Sequence, residues 1–248
     1  MSFDWIVKII TENWPMFLRG AGMTLTIALI GTIIGAAIGL IAGIIRTIPA
    51  PERGFKKIIL KVINIILSIY IEFFRGTPMI VQAMVIYYGS AMAFNIDMNV
   101  MLAAVIVVSI NTGAYMAEIV RGGIVSVEKG QFEAAQAIGM NHFQTMMNVV
   151  LPQVIRNIMP ATGNQFVINI KDTSVLNVIS VSELYFMTKS VAGNNFRYFE
   201  SFFVACVIYF VMTFIVTRIL LYIERKLEGP DNYKMLGEEL DAQPGMKQ

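Results

Sequence analysis

The sequence predicts an all-α integral membrane protein of five spans, with its N-terminus outside and its C-terminus in the cytoplasm. Three observations carry that expectation: a composition poor in charge, long apolar runs, and an uneven placement of basic residues. The chain has 248 residues, of which 56% are hydrophobic and 15% charged, against about 25% charged in soluble domains. Apolar stretches of roughly 18 or more residues indicate bilayer-spanning helices. Five such segments stand out: Ala21–Ile45, Val62–Ala93, Val100–Val120, Val154–Leu184 and Phe199–Ile223. They make one transmembrane domain over 1–228, with a cytoplasmic loop over 121–153 and a polar cytoplasmic tail over 229–248.

Orientation follows from the basic residues, because Lys and Arg concentrate in short cytoplasmic loops. With the N-terminus outside, thirteen of the 19 lie inside and four outside, while Arg75 and Lys171 lie within spans. The inside set includes Arg46, Arg53, Lys56, Lys57 and Lys61 of the first connection; the connection at Ser90–Asn99 carries none. The opening MSFDWIVKII lacks the layout of a cleavable signal, so the first span is expected to direct insertion.

The second segment reads as one interrupted helix, since splitting it at Arg75–Pro78 would put the two basic loops on opposite sides. In the first span, Gly31, Gly35, Gly39 and Gly43 recur every four residues. They form a face against which another helix backbone can approach closely. Packing within the chain is the preferred reading and a dimer interface the alternative. Cys206 sits in an apolar run as a small packing residue. His142, the only histidine, has no metal-ligand company. No metal site is expected, and nothing calls for nucleic acid.

Two clusters of ionisable and polar residues lie where the solvent is lipid, and such residues suggest a pathway or site. The first is Glu72-Phe73-Phe74-Arg75-Gly76-Thr77-Pro78. Glu72 and Arg75, three apart, share a helix face and could pair. Gly76 can interrupt the helix, with Thr77 as N-cap and Pro78 at the first position of the next. A helix start of that kind aims backbone N–H groups at a carboxylate, and Arg75 could add a bidentate contact. The second cluster is Asn169, Lys171, Asp172, Thr173 and Ser174. Asp172 suits an α-ammonium group, the hydroxyls of Thr173 and Ser174 supply hydrogen bonds, and Lys171 could pair with Glu72. Structural ion pairing is the alternative for both clusters.

The cytoplasmic loop is the most specific feature. Glu133-Ala134-Ala135 is followed after three residues by Gly139, and after nine more residues come Val149, Val150, Leu151 and Pro152. A short helix over Phe132–Ile138, ended by Gly139 in a left-handed conformation, is expected. The spacing resembles the EAA loop of ABC importer permeases at every position. In that family the helix docks in a groove of the ATP-hydrolysing subunit. EFFRGTP with Val81-Gln82, and NQFVINIKDTS from Asn164, resemble the polar amino acid branch of the family, with Val175 where leucine is usual.

The resemblance spans about residues 15 to 228 and implies a type I importer permease core, working as a homodimer or heterodimer in a bacterial inner membrane. It also implies two copies of an ABC ATPase, an extracytoplasmic amino-acid-binding protein and a polar amino acid as substrate. No Gly-x-x-x-x-Gly-Lys-Ser/Thr stretch occurs in the chain. ATP and Mg are therefore expected in the partner ATPase, with no catalytic residue and no cofactor in this chain. On this reading Glu72, Arg75, Thr77, Asn169, Asp172, Thr173 and Ser174 contact substrate, and Glu133, Ala134, Ala135 and Gly139 couple to the ATPase.

Overall fold

The computed structural model describes residues 3–49 and 53–228, and the predicted tail over 229–248 lies outside them. Every regular element among the described residues is helical. In chain order these are α1 (Phe3–Thr47), α2 (Phe55–Gly76), α3 (Met79–Phe94), α4 (Val100–Val125), α5 (Lys129–Ala137) and a single turn α6 (His142–Thr145). A π-helical turn (Met146–Val150) leads into α7 (Leu151–Asp172), which tightens into a 3-10 stretch (Thr173–Ile179). The chain closes with α8 (Leu184–Asn195) and α9 (Tyr198–Glu228).

The glycine stripe organises the bundle. A Cβ on Gly31 would meet Val108, on Gly35 Thr112, on Gly39 Met116 and on Gly43 Val120, so all four glycines pack within the chain on α4. Both sets of numbers rise together, so α1 and α4 run parallel with their backbones in close approach. Between them α2 and α3 run the other way, one after the other. Tyr70 donates a hydrogen bond to the Ile110 carbonyl and Ile71 packs with Ala117, whereas Ala83 packs with Ala103, Ala104 and Val107. As the number rises along α2 and α3 it falls along α4. α2 and α3 therefore run in one direction along α4, with the break at Thr77–Pro78 between them.

Several boundaries differ from the sequence expectation. The first helix begins at Phe3, eighteen residues before Ala21, and contains Pro15. Its extension survives because Ile6, Ile9 and Phe17 are buried in a cluster with Leu184, Val191, Val204 and Met212 of α8 and α9. At about 1.5 Å per residue this helix exceeds the roughly 30 Å of a bilayer core. The fourth segment is not one helix: α7 ends at Asp172, and Ser180 takes a left-handed φ of 66°. The connection before α9 holds α8, capped by the buried Glu183, whose carboxylate accepts from the backbone N–H groups of Tyr185 and Phe186 and from the Tyr209 hydroxyl. Cys206 is exposed on α9 rather than packed.

Among the described residues, α1, α4 and α9 are long and apolar enough to cross a membrane, and α3 is apolar but shorter. At the far end of the α1–α4 pair, Glu118 accepts from Arg46 of α1 and from Arg121 one turn along α4.

Candidate functional site

At the break between α2 and α3 the backbone of Thr77 is extended, with φ −120° and ψ 146°. Thr77 closes α2 rather than capping α3, which corrects the N-cap expectation. Its hydroxyl donates back to the Phe73 carbonyl at 2.8 Å, and Pro78 occupies the cap position of α3 without a side-chain bond. The reason is Gln82, a buried residue with no expected role. Its Nε2 lies 2.9 Å from the Phe74 carbonyl, the Thr77 carbonyl and the Thr77 hydroxyl. Asn111 of α4 donates to Gln82 Oε1 at 3.0 Å and to the Phe74 carbonyl at 3.3 Å. Two buried amides thus satisfy the carbonyls that the break leaves without helical partners.

Three faces can be traced on α2. Leu67, Tyr70 and Ile71 pack inward, while Ile59, Val62, Ile66, Ile69 and Phe73 are exposed. Between them runs a polar stripe, Lys57, Lys61, Asn64, Ser68, Glu72 and Arg75, spaced three or four residues apart on one side of the helix. Glu72 and Arg75 were expected on one face; the other four were legible in the same spacing but were read only as a basic loop and an apolar run.

The expected ion pairs do not form. Among the described residues no acidic group lies within ion-pair distance of Arg75 or Lys171, so Glu72 is paired with neither. Arg75 instead places its guanidinium 5.5 Å from the centre of the Tyr115 ring of α4, a cation–π contact.

The second cluster divides by burial. Asn169 is 2% exposed and joins three helices: its Nδ2 donates to Thr32 of α1 at 2.8 Å and to Thr112 of α4 at 2.9 Å. Its Oδ1 faces the Gln165 amide at 3.3 Å. Thr173 is fully buried and donates to the Ile170 carbonyl. Lys171 and Asp172 are exposed, Ser174 is half-buried, and the Ser174 carbonyl accepts from Asn177. Met79 of α3 shares a hydrophobic cluster with Leu176 and Ile179. The break in α2–α3 and the end of α7 are therefore neighbours, although no hydrogen bond joins Arg75 or Thr77 to Asp172.

At the other end of the bundle, the short helix predicted over Phe132–Ile138 forms as α5 and starts earlier, at Lys129. Gly139 adopts φ 84°, its N–H donates to the Gln136 carbonyl, and the Met140 N–H donates to the Ala135 carbonyl. This pair of hydrogen bonds is the Schellman ending, which a left-handed glycine permits without steric cost. Ala135 is buried, and Phe132 packs on a cluster of Val120, Ile124, Val127, Met146, Val150 and Val154. Glu133 and Ala134 face solvent beside exposed Ile138 and Phe143. His142 is exposed in the next turn, whose capping box is made by Asn141 and Gln144.

A family model described as binding-protein-dependent transport system inner membrane component matches residues 58–229, which takes in the broken helix, α5 and both polar clusters. The chain belongs to that family. Among members of known role, the glutamine transport system permease protein GlnP of Escherichia coli (strain K12) is 39% identical over 92% of this chain and 99% of its own. The arginine transport system permease protein ArtQ of Bacillus subtilis (strain 168) is 32% identical over 93% of this chain and all of its own. A crystal structure of an amino acid ABC transporter with histidines superposes with a TM-score of 0.77 at 34% identity, covering 91% of this chain and all of that one. The inward-facing MetNI methionine ABC transporter superposes at 0.72 with 16% identity, a likeness of fold. Membership makes this chain the inner-membrane component of a binding-protein-dependent transport system.

Proposed function

We propose that the chain is the translocation subunit of an ATP-driven importer of polar amino acids in a bacterial inner membrane. The observation that carries this reading is α5, an exposed Glu133-Ala134 surface closed by the left-handed Gly139 and seated on the α4–α7 cluster through Phe132 and Ala135. A rigid-body movement of a partner against that surface is passed directly to two long helices. The relatives that carry glutamine and arginine by name support the substrate class.

In this reading the chain crosses the membrane five times, through α1, α2–α3 together, α4, α7 with its 3-10 extension, and α9. Its N-terminus is outside and its C-terminus inside. Two copies of an ATPase bind the α5 surfaces of a permease dimer and hold ATP and Mg, and this chain catalyses no reaction. An extracytoplasmic binding protein delivers the amino acid to a cavity beside the helix break. Glu72, Arg75 and Asp172 present exposed charged groups to it, Thr77 and Ser174 offer hydrogen bonds, and the buried Asn169 and Thr173 hold the surrounding helices in register. Contacts at these groups must differ between outward-facing and inward-facing states for the substrate to promote the switch.

Gentle purification of the tagged chain from its native membrane, followed by mass spectrometry, tests the assembly. Recovery of an ATPase is expected, and the presence or absence of a second permease chain decides between heterodimer and homodimer. A preparation that contains this chain alone, with amino acid uptake that needs no ATP, would replace the importer reading with an ion-coupled transporter.

A further inference from the structure

The polar stripe of α2 lines a groove of about 460 Å³ formed by Lys57, Lys61, Asn64, Ser68 and Glu72, with Ile48, Leu60, Ile65 and Ile69 at its edges. Lys57 and Lys61 lie at the end of the groove next to the basic connection, and Glu72 lies three turns beyond Lys61. Asn64 lines the groove, and its Oδ1 atom is buried against the protein with no hydrogen-bond partner among the described residues. Polar groups at membrane depth must meet water, protein or solute, because lipid offers them no partner. The stripe runs along α2 from the basic connection to the helix break. A bound phospholipid would place only acyl chains beside Asn64, Ser68 and Glu72, so an aqueous solute fits the full length of the groove and a lipid does not. Volumes of several hundred Å³ are those of small-molecule sites.

We propose that this face of α2 is the solute-facing wall of the inward passage, and that its charges select amino acids without net positive charge. The inference rests on the importer reading and on the orientation that puts the Phe55 end of α2 in the cytoplasm. Lys61 receives the α-carboxylate as the amino acid leaves, and Glu72 faces the α-ammonium group behind it. Between them the Asn64 and Ser68 side chains hydrogen-bond an uncharged polar substituent. A substrate with a cationic side chain carries a second positive charge toward Lys61, the like-charge juxtaposition by which sites reject unwanted ligands. Among the described residues the charged groups lining this groove are Lys57, Lys61 and Glu72, and Arg75 lies one turn beyond.

The test uses the chain assembled with its ATPase, with Cys206→Ala to remove the native thiol. Single cysteines are placed on the stripe (Asn64→Cys, Ser68→Cys) and on the outward apolar face (Ile66→Cys). They are then titrated with a membrane-impermeant thiol reagent. The stripe cysteines are expected to react about tenfold faster than Ile66→Cys, since thiol reactivity follows access to water. Millimolar L-glutamine should slow them several-fold, and L-arginine should not. Adding Lys61→Glu should make L-arginine protective. Stripe cysteines as unreactive as Ile66→Cys mean that protein or lipid covers the groove, and the proposal falls. Equal protection by arginine and glutamine overturns the charge selection. ATP-driven uptake by the wild-type assembly with its binding protein is scored separately: its absence for every amino acid removes the importer reading, whatever the labelling shows.

Discussion

Gly39 of α1 and Met116 of α4 meet so closely that a Cβ on Gly39 would lie 2.7 Å from the Met116 carbonyl carbon and 2.8 Å from the Ala117 nitrogen. Those are backbone atoms, and a rotamer change cannot clear them. Gly39→Ala should therefore force α1 and α4 apart and destabilise the chain by about 1–3 kcal/mol, the usual cost of overpacking. Gly22, with nothing within 4 Å of its would-be Cβ, is the control on the same helix. Gly22→Ala should be neutral or stabilising by up to about 1 kcal/mol, since alanine is the better helix former. Thermal unfolding of both variants in detergent checks the pair; equal midpoints would mean that the two helices separate without cost.

Asn169 offers a second measurement. Its amide joins Thr32, Thr112 and Gln165 across three helices, and Asn169→Leu strands those partners. Hydrogen bonds between membrane helices average about 0.6 kcal/mol and reach about 1.7 kcal/mol, so a loss of roughly 1–3 kcal/mol is expected when several fail together. The KM for uptake should stay near the wild-type value. A raised KM with unchanged stability would instead make Asn169 a direct substrate contact.

The sequence carried the coarse architecture because its main signals are local. The spacing from Glu133 through Gly139 to Pro152 specified a short helix and its left-handed ending, and both are present. Gly31 to Gly43 specified a close helix approach; α4 as the partner was not legible, because identifying it needs long-range pairing. Pairing at the polar clusters was misjudged for the same reason. Arg75 found the Tyr115 ring rather than Glu72, and Thr77 turned back to Phe73 because Gln82 and Asn111 occupy the space ahead of it. α8 was missed because its hydrophobic face is short, and its start depends on the buried Glu183 meeting Tyr209, 26 residues away.

Gln82→Glu removes the amide donors at the break. The shape is kept, but a carboxylate cannot donate to the Phe74 and Thr77 carbonyls; leaving buried acceptors unsatisfied costs about 1–3 kcal/mol, and the buried charge adds to that loss. If the break positions Arg75 and Thr77 toward substrate, Gln82→Glu should raise the KM for uptake more than it lowers the unfolding midpoint, and Gln82→Asn should share the defect through its shorter reach. Loss of stability with an unchanged KM would confine Gln82 to holding α3 on α4.

Glu133 and Gly139 make the last pair of predictions, because they separate contact from geometry on one small helix. Glu133 is exposed and holds nothing in the chain, so Glu133→Ala should leave folding untouched. The amino acid carried per ATP hydrolysed should still fall several-fold, because the exposed carboxylate is part of the surface through which the partner's movement is transmitted. Gly139→Val acts differently: at φ 84° a β-branched residue pays about 1–2 kcal/mol or more, and the two hydrogen bonds that end α5 must open. That variant should lose binding of the ATPase itself, seen as a lower yield of co-purified partner, whereas Glu133→Ala should retain the partner and fail in coupling. Normal coupling in Glu133→Ala would remove this helix from the transmission path. Full ATPase recovery with Gly139→Val would show that the partner grips α5 without needing its left-handed end.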